Sequence, residues 1–512
     1  MLTPEATEVE LKLRVSPADY ARLARHPALQ GGEAPELHRL YAVYFDTAQH
    51  GLWRAGLALR VRRDGALWTQ TLKGEGSAEA GLHRRIELEA TVPGPRPDLD
   101  VYGPGPWTER LVAALAGESL QRVCVTQFTR STRTLHRLPD AAIEASLDRG
   151  EIRAAGRREP LCELELELKA GPPAALYELA LELLDAFPVA AEQRSKAERG
   201  YALQAAAAEV PAKGPAPALE PGMTVGAALS AIVGSVLAHL QANETGLKRH
   251  SDPEYVHQMR VALRRLRSAL SVFRPALDAA RRERAMSEMR WLGRSLGAAR
   301  DWDVFMGTAC AQLLEAFPEH PGLAEYVRIF RRQQRLARQR AQRAVGSVRY
   351  QRLVLELGAW LQSRQWGAPD AGDAAAVLEQ RVEAYASEVL EALYSRMRKR
   401  GRHIAQLAPE QLHELRIAAK KLRYATHFFA GLYDAKAAHP LLDRLARAQN
   451  ALGAVNDAAT VQSLVDAARP GAGKHVAEAR GLLLAWSRGQ TALLRRDAER
   501  AWRAARRCPT FW

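Results

Sequence analysis

Glu8-Val9-Glu10-Leu11-Lys12 alternates charged and apolar residues. Cys162-Glu163-Leu164-Glu165-Leu166-Glu167-Leu168-Lys169 repeats the alternation 155 residues later, counted from Glu8 to Glu163. In an extended strand successive side chains point to opposite faces. Glu8, Glu10 and Lys12 then share one face, and Val9, Leu11 and Leu13 the other. A solvated outer face is the ordinary explanation of one such strand. Two of them suggest a place where carboxylates collect metal ions. The same alternation runs through Leu59-Arg60-Val61-Arg62, Thr71-Leu72-Lys73 and Arg85-Ile86-Glu87-Leu88-Glu89, and Arg130, Glu144, Ser146 and Asp148 can join that face. Arginine and lysine alone would hold a phosphate chain, and carboxylates alone would hold Mg²⁺ or Mn²⁺. Both signs in one cavity suit a metal–oligophosphate complex, in which the ion bridges phosphate oxygens and the cations neutralise charge that develops in phosphoryl transfer. No serine, cysteine or histidine stands out as a nucleophile, so attack by metal-activated water is the simplest chemistry.

The elements that must carry these residues are short and mostly extended. Period-two segments occur at Glu8–Val15, His38–Phe45, Leu57–Arg63, Leu67–Lys73, Arg84–Ala90, Arg122–Arg133, Ala141–Leu147, Glu151–Ala154 and Cys162–Lys169, with Asp64-Gly65 as a tight hairpin turn. Helices are expected at 17–29, 108–116, 174–186 and 196–208. So many strands with one charged face imply a closed antiparallel barrel. Its apolar faces pack outward against helices, its charges line a tunnel, and closure removes the exposed sheet edges.

These motifs, with Tyr44-Phe45-Asp46-Thr47 between them, resemble the CYTH family, the triphosphate tunnel metalloenzymes, over residues 5–200. That family includes inorganic triphosphatases, thiamine triphosphatases and adenylate cyclases of one class. The resemblance implies that Glu8, Glu10, Glu163 and Glu165 hold divalent ions, Mg²⁺ or Mn²⁺, with Glu87 and Glu89 in support. It implies that Lys12, Arg60, Arg62, Lys73, Arg85 and Arg130 hold a triphosphate, with Asp148 nearby. Ser195-Lys196 resembles the start of the family's plug helix, so Lys196 is expected to reach the tunnel. Phe45 stands where the family's motif has a second tyrosine, a departure that leaves the chemistry unchanged.

Four prolines between Glu209 and Thr224 mark a semi-rigid linker. Beyond it the periodicity is helical and the sequence repeats. Val256-His257-Gln258-Met259-Arg260-Val261-Ala262-Leu263-Arg264-Arg265-Leu266-Arg267 matches Leu412-His413-Glu414-Leu415-Arg416-Ile417-Ala418-Ala419-Lys420-Lys421-Leu422-Arg423. Leu296-Gly297-Ala298-Ala299-Arg300-Asp301 matches Leu452-Gly453-Ala454-Val455-Asn456-Asp457. His257, Arg260, Arg264 and Arg267 fall on one helical stripe, as do His413, Arg416, Lys420 and Arg423. Basic side chains on one stripe repel unless they are solvated, paired with acids or covered by an anion, and duplication of the stripe favours an anion. Arg331–Arg340 and Arg396–His403 can add to the same groove. The repeat resembles the CHAD family over residues 225–505. That resemblance implies a non-catalytic helical domain that binds inorganic polyphosphate through these residues and the adjacent Arg265 and Lys421.

Charge divides the same way. Residues 1–210 carry 26 Lys+Arg against 30 Asp+Glu, and the remainder 47 against 28, within a net charge of +15. The basic half wants a polyanionic partner. Its stripes lack interleaved aromatics on which bases stack, which weighs against single-stranded nucleic acid. Four scattered cysteines without a CxxC pair speak against a zinc site or a disulfide framework and for a reducing cytoplasm. No basic region followed by an apolar run opens the chain, and the uncharged run Met223–His239 is short for a membrane span. The expected fold is therefore α+β: an N-terminal antiparallel β-barrel tunnel with flanking helices (1–208), a linker (209–224) and an all-α domain of two related helical bundles (225–512). The expected activity is metal-dependent hydrolysis of inorganic triphosphate in the cytoplasm, with association with polyphosphate granules open. A non-catalytic polyphosphate-binding protein, a thiamine triphosphatase and an adenylate cyclase are the alternatives.

Overall fold

The computed structural model describes residues 6–31, 34–137, 140–205, 210–368, 372–468 and 474–512. They form two compact units, Met1–Val210 with Ser347–Ser363, and Pro211–Gly346 with Arg364–Trp512.

The first unit is a closed antiparallel barrel. Its strands are β1 (Ala6–Arg14), β2 (Glu36–Asp46), β3 (Ala58–Asp64), β4 (Leu67–Glu79), β5 (Leu82–Val92), β6 (Gln121–Arg137), β7 (Ala141–Ala154) and β8 (Arg157–Ala170). They pair in the order β5-β4-β3-β2-β6-β7-β8-β1, and β1 closes back on β5. A two-residue strand β9 (Ala190–Ala191) extends the sheet beside Leu13 and Arg14. Leu11, Leu13, Leu164 and Leu166 are fully buried on the outer face, where helix α1 (Ala174–Ala186) covers β1 and β8. A second outer core gathers Val43, Phe45, Leu59, Val61, Leu72 and Leu88 with Leu111 and Leu115 of the helix Pro106–Leu115. Each fully buried leucine contributes about 1.5–3 kcal/mol. A one-residue slip would turn these leucines into the tunnel and the charges onto the helices, so the register is fixed by burial.

Two local readings differ from the sequence expectation. Ala141–Leu147 and Glu151–Ala154 are one strand. Gly150 lies mid-strand because a Cβ there would stand 2.1 Å from the Gln127 carbonyl oxygen, so this glycine marks a close approach to β6. The turn falls instead at Ala155-Gly156, both with positive φ. The helix expected over 17–29 shrinks to Tyr20–Leu23 and a 3₁₀ turn Pro27–Leu29. Helix α2 spans Lys196–Ala205, and residues 206–208 of the expected helix, with the linker's Glu209, lie outside the described residues.

The second unit is all helical. Its main helices are α3 (Val225–Ala242), α4 (Pro253–Val272), α5 (Ala279–Phe305), α6 (Pro321–Val345), α7 (Val382–Arg400), α8 (Pro409–Phe429), α9 (Ala435–Ala468) and α10 (Lys474–Arg506). The repeat keeps its offset at the starts of two helix pairs. Pro253 and Pro409 open α4 and α8, and Ala279 and Ala435 open α5 and α9, each pair 156 residues apart. The helices form two four-helix sets, α3–α6 and α7–α10. Across the join α3 meets α7, α4 meets α8, α5 meets α9 and α6 meets α10. Contact between counterparts is the signature of a twofold relation between duplicated halves. Contrary to the sequence expectation of a run too short to span, Val225–Arg249 is long and apolar enough to cross a membrane, but 61% of its apolar window is buried inside this unit, as in a core helix.

Candidate functional site

The barrel encloses a cavity of about 610 Å³ whose wall divides by charge. Register builds the acidic side. Glu10, Glu167 and Glu144 are direct cross-strand neighbours on β1, β8 and β7. Lys12, Glu165 and Ser146 form the next rung, and Arg14, Glu163, Asp148 and Arg130 the one after. The cationic side comes from Arg60 and Arg62 on β3 and Lys73 on β4, with Arg85, Glu87 and Glu89 on β5 between the two.

Carboxylates order the cations. Thr71 Oγ accepts from Arg60 Nε at 3.2 Å and donates to Glu89 at 2.9 Å, and Glu89 lies 3.6 Å from Arg60 and 3.8 Å from Arg62. Burial works to raise the Glu89 carboxyl, but Arg60 and Arg62 hold it below its ordinary range. Arg60 and then burial push the Arg62 guanidinium down to about 10. Burial pushes the Lys73 ammonium down to about 8, against the opposing pull of Glu8. Lys73 pairs with Glu8 at 3.3 Å and also with Glu87. Arg85 reaches Glu198 at 3.3 Å.

Deeper in, Lys196 enters from the first turn of α2. Ser195 and Glu198 form a reciprocal cap: Ser195 N–H donates to Glu198 at 2.6 Å and Glu198 N–H donates to Ser195 Oγ at 3.2 Å. The cap aims Lys196 Nζ between Asp148, Glu163 and Glu165, at 2.8, 2.5 and 2.9 Å. Arg130 binds Asp148 through two hydrogen bonds of 2.7 and 2.8 Å and also reaches Glu165. Arg199 holds Glu163 at 2.9 Å. Lys12 bridges Glu10 at 2.6 Å and Glu165. Burial opposes ionisation of Glu165, but Lys12, Lys196 and Arg130 hold its carboxyl well below the usual range. Glu10 goes the other way: burial raises it, Lys12 opposes, and Glu165 and Glu8 raise it further.

Asp148, Glu163 and Glu165 place ligand oxygens within 4.8 Å of one another. Oxygen-only donors suit a hard divalent cation, and the lysine ammonium at their centre shows that the point attracts positive charge. The donor set therefore fits a metal ion, which would compete with Lys196 there. Glu8 and Glu10 line the cavity itself, where an ion would compete with Lys73 and Lys12. Of the residues expected in the tunnel, Glu8, Glu10, Lys12, Arg60, Arg62, Lys73, Arg85, Glu87, Glu89, Arg130, Glu165 and Lys196 line the cavity. Glu163 and Asp148 lie behind them, fully buried.

Sequence reasoning missed the tunnel's opposite rim. Glu36, His38, Asp64 and Tyr44 also line the cavity, and His38 Nδ1 lies 2.7 Å from Asp64. The inward parity of β2 carried this signal, because Glu36, His38, Leu40, Ala42 and Tyr44 alternate. The role of Asp46 was missed too. It accepts from the backbone N–H of Thr47, Leu52 and Trp53 and from the Tyr201 hydroxyl at 2.6 Å, which fastens α2 to the end of β2.

The helical unit has its own cavity, about 670 Å³, where the two repeats meet. His257, Arg260, Arg264 and Arg300 line it from the first repeat and Arg416 and Lys420 from the second, with Asp301, Asp457 and Trp486. Burial, then Arg416 and Arg264, push the Lys420 ammonium down to about 7. Burial and Arg300 push His257 down to about 4. The other expected residues lie elsewhere. Arg265 is buried and donates to the Pro215 carbonyl at 2.9 Å, so it ties down the linker. His413 pairs with Asn456 at 2.8 Å, and Arg423 lies over the Tyr424 ring. Arg267 and Lys421 do not reach the chamber wall, and neither do Arg331–Arg340 or Arg396–His403. A helix turns about 100° per residue, so the second member of each Arg-Arg or Lys-Lys pair faces away from the first.

A CYTH domain model matches residues 6–201 and a CHAD domain model residues 231–466. An inorganic triphosphatase of Haemophilus influenzae is 30% identical over 201 residues, which are 38% of this chain and 54% of that protein, so the match spans about half of the relative's length. An uncharacterised protein of Mycobacterium tuberculosis is 29% identical over 422 residues, 77% of this chain and 76% of its own. The crystal structure of the CHAD domain from the plant Ricinus communis is 32% identical, with a TM-score of 0.51, and covers 60% of this chain and all of that one.

Proposed function

We propose that this chain, which carries a CYTH domain followed by a CHAD domain, hydrolyses inorganic triphosphate to diphosphate and phosphate in its barrel and binds inorganic polyphosphate in its helical chamber. The observation that carries the reading is the tunnel's division into an acidic wall on β1, β7 and β8 and a cationic wall on β3 and β4. A linear triphosphate lying between them meets guanidinium groups on one side and carboxylates on the other. Arg60, Arg62, Arg85 and Arg130 bind its oxygens, and Glu89 keeps Arg60 and Arg62 aimed. Lys73, near 8 and mostly charged at neutral pH, donates a hydrogen bond to the chain. The acidic residues Glu8, Glu10 and Glu165, backed by Asp148 and Glu163, would hold a divalent cation, Mg²⁺ or Mn²⁺. Such an ion, when bound, would supply charge neutralisation and an activated water. Around Lys196, Asp148 and Glu163 the wall is buried, which strengthens the ionic contacts there.

The chamber reading rests on its five cationic side chains, Arg260, Arg264, Arg300, Arg416 and Lys420, against two carboxylates, Asp301 and Asp457. Four free, buried cysteines fit a reducing cytoplasm, and polyphosphate binding would bring the chain to polyphosphate granules. The test is phosphate release from tripolyphosphate, ATP, thiamine triphosphate and long polyphosphate, each with Mg²⁺, Mn²⁺ or chelator. Metal-dependent release from tripolyphosphate above all others is expected. Faster turnover of ATP or thiamine triphosphate would move the substrate to an organic triphosphate. No turnover of any, with polyphosphate still bound, would leave a binding protein.

A further inference from the structure

The first unit contains a helix that the barrel's own stretch of sequence does not encode. Val348–Ser363 lies in the connection between α6 and α7, outside both repeats, yet Ser347–Ser363 groups with the barrel unit. The chain therefore passes between the units three times, near residues 210, 346 and 363. The helix packs along α1 and β9. Gly358 permits the approach: a Cβ there would stand 2.3 Å from Cε1 of Tyr177 and 2.8 Å from Cβ of Ala80. The Tyr177 hydroxyl in turn donates to the Glu79 carbonyl at 3.0 Å, at the β4–β5 hairpin.

Besides the ion pair of Arg352 with Asp185 on α1, two of its polar contacts fall on the two sides of one seam. Gln362 Oε1 accepts from Arg84 Nη2 at 2.5 Å, on β5. Gln351 Oε1 accepts from the Ala191 N–H at 3.2 Å, and Ala191 pairs with Leu13 of β1. The pairing of β1 with β5 is the one that closes the barrel, with Arg84 opposite Val9 and Arg85 opposite Glu8. Arg84 thus holds the outside of β5 one residue from the Glu8–Arg85 rung. Ala191 holds β1 one residue from Lys12. The helix thus holds β5 directly, through Arg84, and β1 through its partner strand β9.

We propose that the helix Val348–Ser363 is a latch on the barrel's closing seam, which positions Glu8, Lys12 and Arg85 for ligand through Gln362 on β5 and Gln351 beside β1. The proposal rests on the reading of the tunnel as a triphosphate site. It makes capture of triphosphate depend on a segment encoded between the two helical repeats.

The test uses the full chain with Gln362→Leu, which removes the acceptor for Arg84, and Gln362→Glu, which keeps one. Tripolyphosphate hydrolysis and backbone hydrogen exchange are measured on both. A hydrogen bond to a charged group is lost in the leucine variant, so its KM rises about tenfold while kcat stays within about twofold. Exchange at the amides of residues 82–87 accelerates. Gln362→Glu retains the wild-type KM and exchange. A wild-type KM and wild-type exchange in Gln362→Leu, or equal impairment of both variants, would overturn the latch. Failure of the wild type to hydrolyse tripolyphosphate would overturn the tunnel's substrate reading instead. The exchange arm then decides the latch alone: seam protection lost only in Gln362→Leu supports it, and unchanged protection overturns it.

Discussion

Lys196→Met removes the ammonium that sits 2.5–2.9 Å from Asp148, Glu163 and Glu165. Asp148 and Glu163 are 0% and 1% exposed, so water cannot take over. Arg130, Arg199 and Lys12 remain, but each is already committed to one or two of the same carboxylates or to Glu10. Breaking a buried ionic contact by removing one partner costs about 3–5 kcal/mol. In a unit of this size each kcal/mol moves the melting temperature by about 2–4 °C. The barrel transition in calorimetry of the full chain should therefore fall by about 6–20 °C at pH 8, with the helical unit's transition as reference. Two further responses separate this account from simple loss of packing. Removing the ammonium takes away one of the cations that hold the Glu165 carboxyl low against burial, so that carboxyl moves up and the loss should shrink as pH falls. The vacated oxygens should also take a divalent ion, and Mg²⁺ or Mn²⁺ at a hundred times its dissociation constant restores about 2.7 kcal/mol. A variant that melts like the wild type at pH 8 would refute the charge accounting, and one that ignores both pH and metal would refute the triad as a cation site.

Asp46→Ala removes the acceptor for Tyr201 and three backbone N–H groups; hydrogen exchange should show α2 opening while the β6–β7 pairing keeps its protection. Arg264→Gln should lower the salt dependence of polyphosphate binding by about one ionic contact, seen as a shallower slope of log affinity against log salt concentration. Arg265→Gln should leave that slope unchanged and lower the melting temperature of the helical unit. Polyphosphate affinity should fall as pH rises through about 7, where the empty chamber's Lys420 loses its proton. Binding then requires proton uptake, so the slope can approach but not exceed tenfold per pH unit, and Lys420→Met should flatten it.

The strand alternation made the barrel legible, because period-two charge against leucine permits only one register once the leucines are buried. The tunnel's inward charges followed from the same parity, including Asp148 and Glu163 behind the wall. Which carboxylates gather was not legible. Asp148, Glu163 and Glu165 converge because β7 and β8 pair with Asp148 opposite Glu163, and cross-strand register between distant segments is not written in either strand alone. The strand break misread at Gly150 shows the limit of local signals, since close approach and turning both call for glycine. In the helical half the repeat revealed the two stripes, but not the turn of the helix that sends Arg265 to the linker while Arg264 faces the chamber. Least legible was the latch. Val348–Ser363 reads as one more amphipathic helix of the helical domain, and only contact with Tyr177, Ala191 and Arg84 assigns it to the barrel.

The most direct measurement is the rate of phosphate release from tripolyphosphate by the full chain, wild type against Glu10→Gln, with polyphosphate binding measured on the same samples. Glu10 lines the tunnel on the acidic wall, and its loss should lower the rate by about a hundredfold or more while polyphosphate binding in the chamber stays at the wild-type level. Equal rates in the two proteins would place the chemistry outside the tunnel and contradict the account.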